Sequence, residues 1–416
     1  MFDLIFSISK LFLLYCINIL NFTINNCWVC LAVFICCLCL ILEENKSYEF
    51  IFLCFILGIS TLFILNCNHV FWLFLSLELQ TMSLLILIGT PKLSLVAKQA
   101  TFEYFFYTAL LSCIFLLGVF FIFNFLTYED LLIYLSYEPS IEVYIGFLFI
   151  TFLMVFKLTL FPFHFWAPNI YEGASWTTLL LIGTLPKIGV LHFLFYSWPC
   201  HPLFYYILGL FSVLWGTIAL LNQTKIKRFL AYSGVVNMGW ICIFLSQSFS
   251  SHLTLTFFVF IYFISFILII NILIVSYNRN YYTHNKGYKL KFLIEICYLN
   301  NKERYSLMIL LLSLSGIPPL LGFYVKALIL RGLFINTHYS VVILLLLCSL
   351  IITFAYLRFC TLWVFNKRIK NYIEIYIQNY LYNELPIINQ TNWNLLVNIQ
   401  SQVCLLILLG FPLTIL

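Results

Sequence analysis

The segment KLTLFPFHFWAPNIYEGASWTTLLLIGTLPK, from Lys157 to Lys187, determines most of what can be expected of this chain. It places one lysine in each of two neighbouring apolar runs, and Pro162 and His164 follow the first lysine closely. A lysine near the middle of a bilayer costs roughly 2.5 to 3.5 kcal/mol on insertion scales. Two such lysines are therefore expected to serve the function of the protein.

The composition of the 416 residues around this segment is that of a membrane protein. Hydrophobic residues make up 63% and charged residues only 9%, with a mean hydropathy of +1.04. Soluble domains carry about 25% charged residues. The net charge is +6, and the basic residues lie in short loops, which is where membrane orientation signals are found. No nucleic-acid partner is therefore expected. The 15 cysteines lie mostly in apolar runs without nearby His or acidic residues, which favours buried thiols over a metal site.

We predict an all-α polytopic membrane protein with about 13 transmembrane helices. Thirteen apolar runs are long enough to cross roughly 30 Å of hydrocarbon. They lie at residues 3–22, 27–43, 48–66, 69–90, 100–126, 143–163, 175–197, 203–222, 228–248, 252–277, 306–330, 338–365 and 400–416. No cleavable targeting segment is expected, because the first run begins almost at Met1 without a basic region before it.

The loops between these runs divide by charge. The basic loop residues fall almost entirely on one side, and they are Lys10, Lys46, Lys92, Lys98, Lys225, Lys227, Arg228, the six from Arg279 to Arg304, Lys367, Arg368 and Lys370. The other side has Arg331 and four acidic residues, Glu129, Asp130, Glu138 and Glu142. By the positive-inside rule, we expect the N-terminus on the inner side and the C-terminus outside.

Four ionisable residues lie well inside the apolar runs, namely Glu78, Lys157, Lys187 and Lys326. At about 3 kcal/mol each, four unpaired charges would cost on the order of 10 kcal/mol, comparable to the stability of a domain. They must therefore be paired, hydrated or neutralised. The alternative to a functional set is that each residue snorkels to the interface or forms a static ion pair that fixes helix packing.

Two of the lysines lie close to prolines. Pro162 follows Lys157, whereas Pro318 and Pro319 precede Lys326, so the order is reversed. A proline frees a backbone carbonyl, which at membrane depth is tolerated where protein or cavity water satisfies it. We predict two inverted five-helix repeats, each with a broken helix, at residues 48–197 and 203–365. Residues 1–47 would add N-terminal transmembrane helices, and 366–416 an inner-side loop and a C-terminal helix.

The carboxylate of Glu78 and the amine of Lys157 suit proton handling. Desolvation favours the neutral amine and a nearby carboxylate favours the ammonium, so a Glu78–Lys157 pair would switch the lysine between the two forms. Histidine ordinarily titrates near neutral pH, so His164 is a candidate proton relay, although a histidine at a segment end is also a common interfacial residue. His192 lies about 140° round a helix from Lys187 and is a weaker candidate.

Five stretches carry a recognisable family pattern: FLSLELQ around Glu78, FKLTLFPFHFWAPNIYEGAS from Phe156, LPKIGVLHF around Lys187, ALLNQTKIKRFLAYSGVVNMGW from Ala219 and SLSGIPPLLGFYVKALIL from Ser313. In these stretches the chain resembles the antiporter-like membrane subunits of proton-translocating NADH:quinone oxidoreductase, respiratory complex I, and within them the subunit 2 group. The resemblance covers residues 70–330. It implies a fourteen-helix fold with inverted repeats, of which this chain would lack the first helix.

The resemblance also implies roles for the membrane charges. Glu78 matches the acidic partner, Lys157 the lysine of the first broken helix, Lys187 the connecting lysine and Lys326 the lysine of the second broken helix. His164 remains a possible proton relay. These four residues would then move protons outward along a hydrated chain, driven by redox chemistry in other subunits.

The resemblance further implies where the cofactors and partners are. This chain would bind no cofactor itself, whereas NADH, FMN, iron-sulfur clusters and ubiquinone would belong to partner subunits. Its partners would be other membrane-arm subunits, including a neighbouring antiporter-like subunit, and membrane lipids. The implied location is the mitochondrial inner membrane with the N-terminus in the matrix, or alternatively a bacterial plasma membrane.

Some positions depart from the family pattern. Asn237 stands where the family usually has a histidine, which removes a titratable relay from the second half. Asn169 replaces the usual aspartate before YEG, and Ser175 the usual proline after it. The frequent pattern E-A-x-x-K-Y reads here with Gln99 and Glu103, so the charge pair is altered.

Two rival functions follow from the same residues. A subunit of a multi-subunit cation/proton antiporter would share the membrane charges and the broken helices. A structural membrane spacer would contain the same charges as locked ion pairs. Copurification with iron-sulfur subunits would distinguish the first rival, and a dry, tightly packed centre would favour the second.

Overall fold

The computed structural model describes residues 24–42, 48–67, 69–90, 94–125, 141–196, 202–247, 252–283, 301–318 and 320–365. Every regular element in these ranges is a helix. In chain order they are α1 (Ile24–Leu42), α2 (Tyr48–Leu65), α3 (Val70–Gly89), α4 (Leu95–Phe125), α5 (Ile141–Lys157), α6 (Trp166–Gly173), α7 (Trp176–Tyr196), α8 (Pro202–Leu221), α9 (Ile226–Leu245), α10 (His252–Thr283), α11 (Asn301–Ser315), α12 (Leu321–Ile335) and α13 (Tyr339–Phe365).

The prediction of an all-α membrane protein is confirmed. Within the described residues, eight helices are long and apolar enough to span a bilayer, and they are α2, α3, α4, α7, α8, α9, α10 and α13. Eleven of the predicted apolar runs coincide with α1 to α5 and α7 to α13. The runs at residues 3–22 and 400–416 lie outside the described residues.

Two predicted runs are not continuous helices. The run at 143–163 overlaps α5, which ends at Lys157, and the run at 306–330 is divided between α11 and α12. The first interruption contains Pro162, preceded by a cis peptide bond, and the second contains Gly316, whose φ of 85° is incompatible with a continuing helix. The predicted breaks at the prolines are therefore confirmed within the described residues.

The chain divides into two compact units, residues Met1–Ser212 and Val213–Leu416. In the first unit, α7 packs against α1, α2, α3 and α5, and its side chains are almost all buried although it contains Pro186 and Lys187. Helices α4 and α5 approach closely at two glycines. A Cβ on Gly118 would lie 2.7 Å from the Gly146 carbonyl oxygen, and one on Gly146 would lie 2.9 Å from that of Gly118. Small residues at such a crossing allow the two backbones to touch, as is common between membrane helices.

In the second unit, α12 packs against α9, α10, α11 and α13. The buried side chain of Gln247, just after α9, donates from Nε2 to the carbonyl of Ile329 on α12 at 3.0 Å. Gly332 makes room for this amide, because a Cβ there would collide with Gln247 Oε1. This polar contact fixes the position of α12 against the end of α9, and α12 carries Lys326.

Candidate functional site

Lys157 is the last residue of α5, and its side chain is buried against α3. Its Nζ donates to the carbonyl of Leu77 at 2.9 Å and to Oε1 of Gln80 at 3.1 Å. Both acceptors are neutral. The amine therefore has two hydrogen-bond partners at a depth where the surrounding side chains are apolar.

Glu78 lies on the same stretch of α3 but is only half buried. It is close enough to Lys157 to interact with it electrostatically, and also interacts with Tyr104 on α4. Its Oε2 lies 3.1 Å from the hydroxyl of Thr81, which also contacts the Glu78 carbonyl at 2.8 Å. The structure thus brings Glu78 and Lys157 together, but the hydrogen bonds of the amine go to other acceptors.

The chain after Lys157 is held by neutral donors. Pro162 has no N–H for the carbonyl of Leu158, and that carbonyl accepts instead from the hydroxyl of Thr159. Trp166 donates from Nε1 to the carbonyl of Phe156 at 3.2 Å. Thr159 has a φ of 61°, an unusual conformation for a β-branched residue. The segment that follows Lys157 therefore has a defined conformation, with backbone strain at Thr159.

Lys187 lies on α7 within the same unit, and 1% of its side chain is exposed. Among the described residues its Nζ has no hydrogen-bond partner. Helix α7 packs against α3 and α5, which carry Glu78 and Lys157, but the amine bonds to neither of them. A buried ammonium without an acceptor is costly, so Lys187 needs water or a second polar group whenever it carries a proton.

Lys326 on α12 bonds to the end of α11 in the second unit. Its Nζ donates to the carbonyls of Leu314 at 3.0 Å and Ser315 at 2.8 Å. In a continuous helix these carbonyls would accept from the residues four positions later, which are Pro318 and Pro319 and have no N–H. The amine therefore replaces the donors that the two prolines remove. It also lies 5.6 Å from the centre of the Trp240 ring, within cation–π range.

Gly316 allows this arrangement, and its replacement by alanine should be damaging. A Cβ there would lie 2.8 Å from Cδ of Lys326 and would also be strained at the φ of 85°. We expect Gly316→Ala to lower stability by about 2 kcal/mol, measured as a lower midpoint of thermal unfolding of the assembled protein. Gly89→Ala is the control, because its Cβ would meet Thr101 at an ordinary 3.4 Å. Equal midpoints for the two variants would contradict this account of the interruption between α11 and α12.

His164 and Asn237 are both buried. His164 lies between Phe161 and Phe165, with ring centres 5.8 and 4.2 Å away. Its role as a relay stays a prediction. Asn237 donates from Nδ2 to the carbonyl of Ser233, one turn earlier in α9, at 2.9 Å. At this position the chain therefore has a non-titrating amide bonded to its own helix.

Two of the departures from the family pattern are in contact. Asn169 on α6 donates from Nδ2 to Oε2 of Glu103 on α4 at 3.0 Å. This charge-assisted hydrogen bond attaches α6 to α4.

Gln80 is the functional candidate that the sequence patterns missed. It lies two residues after Glu78 in FLSLELQTM, and a polar side chain in an apolar run was the available signal. Its importance depends on α5 ending beside α3, which no local pattern indicates. No group of three or more His, Cys, Asp or Glu side chains in the described part of the chain could hold a metal ion.

The fold and these residues define a class of protein. It is a polytopic helical membrane protein with lysines buried at membrane depth, two of them beside broken helices, and intramembrane charges of this kind mark ion and proton pathways. The chain belongs to the NADH:quinone oxidoreductase/Mrp antiporter transmembrane family, whose profile matches residues 67–353.

Individual relatives agree with this assignment. NADH-ubiquinone oxidoreductase chain 2 of Metridium senile is 31% identical over 316 residues, which cover 72% of this chain and 79% of the relative. NADH-quinone oxidoreductase subunit N of Nitrosomonas europaea is 28% identical over 330 residues, covering 74% of this chain and 66% of the relative. The chain therefore spans between about two thirds and four fifths of the length of these two relatives.

Solved structures show the same fold. A chain of respiratory complex I from Thermus thermophilus with bound aureothin aligns with a TM-score of 0.77 and 19% identity, covering 96% of this chain and 90% of that one. A chain of the Mrp complex from Dietzia sp. DQ12-45-1b aligns with a TM-score of 0.71 and 15% identity, covering 81% and 65%. At these identities the likeness concerns the fold alone.

Proposed function

We propose that this chain is a proton-translocating subunit of the membrane arm of an NADH:ubiquinone oxidoreductase. The observation that carries the proposal is Lys157, whose amine is buried on neutral acceptors beside the carboxylate of Glu78. Such an amine gains or loses a proton readily when a nearby charge changes. Membership of the family supplies the reaction that would drive this change.

In the proposed mechanism the protons move along the four membrane charges. Glu78 and Lys157 form the first exchange point, Lys187 connects it onward, and Lys326 forms the exchange point of the second unit. His164 serves as a possible relay beside the first broken helix. Lys187 accepts a proton only transiently, because its buried amine has no acceptor among the described residues.

The redox steps take place elsewhere in the proposed complex. NADH, FMN, iron-sulfur clusters and ubiquinone are bound by partner subunits, and this chain has no redox centre of its own. Its partners are other membrane-arm subunits, one of them antiporter-like, together with membrane lipids. We place it in the mitochondrial inner membrane, with its N-terminus in the matrix. Residues 48–197 and 203–365 form the two inverted repeats of the proposal.

Glu78→Gln tests this function. We expect the assembled complex to lose coupled NADH:quinone turnover by about tenfold or more, because a neutral amide cannot change charge beside Lys157. Electron transfer from NADH to an artificial acceptor should stay unchanged, since it bypasses the membrane arm. Glu49→Gln, an exposed carboxylate in the first turn of α2, is the matched control. Normal proton pumping in an assembled Glu78→Gln complex would refute the proposal.

A second candidate is a subunit of a multi-subunit cation/proton antiporter. The fold match to a chain of the Mrp complex favours it as the alternative. Purifying the tagged chain from its native membrane decides between the two. Iron-sulfur subunits in the purified complex support the first function, and their absence from an intact complex that exchanges cations for protons supports the second.

A further inference from the structure

Gln80 has no role in the proposed mechanism, yet it is completely buried at the centre of the site. Its Oε1 accepts from Lys157 Nζ at 3.1 Å, whereas its Nε2 is buried without a partner in the described part of the chain. A buried amide with one unsatisfied end destabilises the protein, whereas a leucine at the same position would leave no polar group unsatisfied. The hydrogen bond to Lys157 is the favourable contact that a leucine at this position could not make.

The geometry of α3 separates Gln80 from Glu78. Successive residues of a helix are about 100° apart, so Gln80 lies about 60° from Leu77 but about 160° from Glu78. The two acceptors of the Lys157 amine, Leu77 and Gln80, therefore share one face of α3. Glu78 lies on another face, and its carboxylate contacts Thr81. Within the described residues the amine makes no hydrogen bond to that carboxylate, although the two groups interact electrostatically.

We propose that Gln80 is a positioning residue that holds the amine of Lys157 away from Glu78 between proton transfers. Release from the amide then accompanies each approach of the amine to the carboxylate. The groups that act on this movement are Glu78, which interacts with Lys157 directly, and Tyr104 on α4, which interacts with Glu78. The inference rests on the proposed function, since it assigns a resting position to the proton-carrying lysine.

The test uses two substitutions in the assembled complex, with coupled turnover measured from pH 6 to pH 8 relative to the unaltered complex. Gln80→Glu places a carboxylate on the amine and should hold it there, which lowers relative turnover by about tenfold at pH 8. The adjacent ammonium keeps that carboxyl ionised, so the loss should persist at pH 6, while the amount of assembled complex and its thermal midpoint stay unchanged. Gln80→Leu removes the acceptor and should lower relative turnover by a similar factor at every pH.

Ser83→Ala is the matched control, because Ser83 is buried on the same helix and bonds only to carbonyls of its own helix. It should leave turnover unchanged at every pH. Unaltered relative turnover in both Gln80 variants would overturn the inference, as would losses that only follow a smaller amount of assembled complex or a lower thermal midpoint. Lys157→Ala distinguishes failure of the positioning role from failure of the proposed function. If it abolishes pumping while both Gln80 variants pump normally, only the positioning role fails; if it pumps normally, the proposed function itself fails.

Discussion

Replacing Lys157 with methionine should lower proton pumping and coupled turnover of the assembled complex by roughly 10²-fold, the lower end of what loss of a positioned proton-transfer group causes. Methionine has a similar length and no charge, so it can occupy the buried space beside α3 without carrying a proton. The acceptors on Leu77 and Gln80 would then lose their donor. Pumping is measured as acidification outside reconstituted vesicles, and assembly by the amount of intact complex.

The control for Lys157→Met is Lys98→Met, the same substitution at an exposed lysine of α4. This variant should pump normally, because an exposed lysine has water as its partner. NADH oxidation with an artificial acceptor should be equal in both variants. An assembled Lys157→Met complex that pumps at the rate of the control would exclude Lys157 from the proton path.

Replacing Lys326 with methionine should damage both stability and pumping. The carbonyls of Leu314 and Ser315 would lose their donor while Pro318 and Pro319 still provide none. Leaving two buried carbonyls unsatisfied should destabilise the protein by on the order of 3 kcal/mol. We expect less assembled complex and a lower thermal midpoint, together with loss of pumping in the complex that does assemble.

Lys326→Arg separates the two effects. Arginine keeps several donors for the carbonyls but does not release its proton in proteins. It should therefore restore most of the assembly and thermal midpoint and none of the pumping. Arg331→Met, an exposed position on the same helix, is the control and should change neither. Pumping by Lys326→Arg would show that Lys326 supports the backbone without carrying protons.

Much of the fold was predictable from the sequence, because membrane spans are visible as long apolar runs with few charges. The broken helices were also predictable, since Pro162, Pro318 and Pro319 cannot donate to the helix. The end of α5 at Lys157, five residues before Pro162, was not predictable. It depends on Thr159 adopting a positive φ and on Trp166 reaching back to the chain, which are tertiary effects.

The membrane charges were predictable as residues but not as contacts. The sequence indicated a Glu78–Lys157 pair. In the structure the amine donates hydrogen bonds to Leu77 and Gln80 and interacts with Glu78 only electrostatically. Which face of a helix an incoming side chain meets depends on packing, and an apolar run contains no such information. For the same reason, the contact between Lys326 and the carbonyls of α11 could not be read from spacing.

The two broken helices hold their freed carbonyls with different chemistry. Near Pro162 the donors are a hydroxyl and an indole, which keep their hydrogens whatever charge Lys157 carries. Near Pro318 the donor is the amine of Lys326 itself, and an ammonium makes a hydrogen bond about twice as strong as a neutral donor. We therefore expect the backbone around Gly316 to be held more tightly when Lys326 is protonated. Near Pro162 the donors do not titrate, so the charge of Lys157 should not change the hydrogen bonds that hold this break.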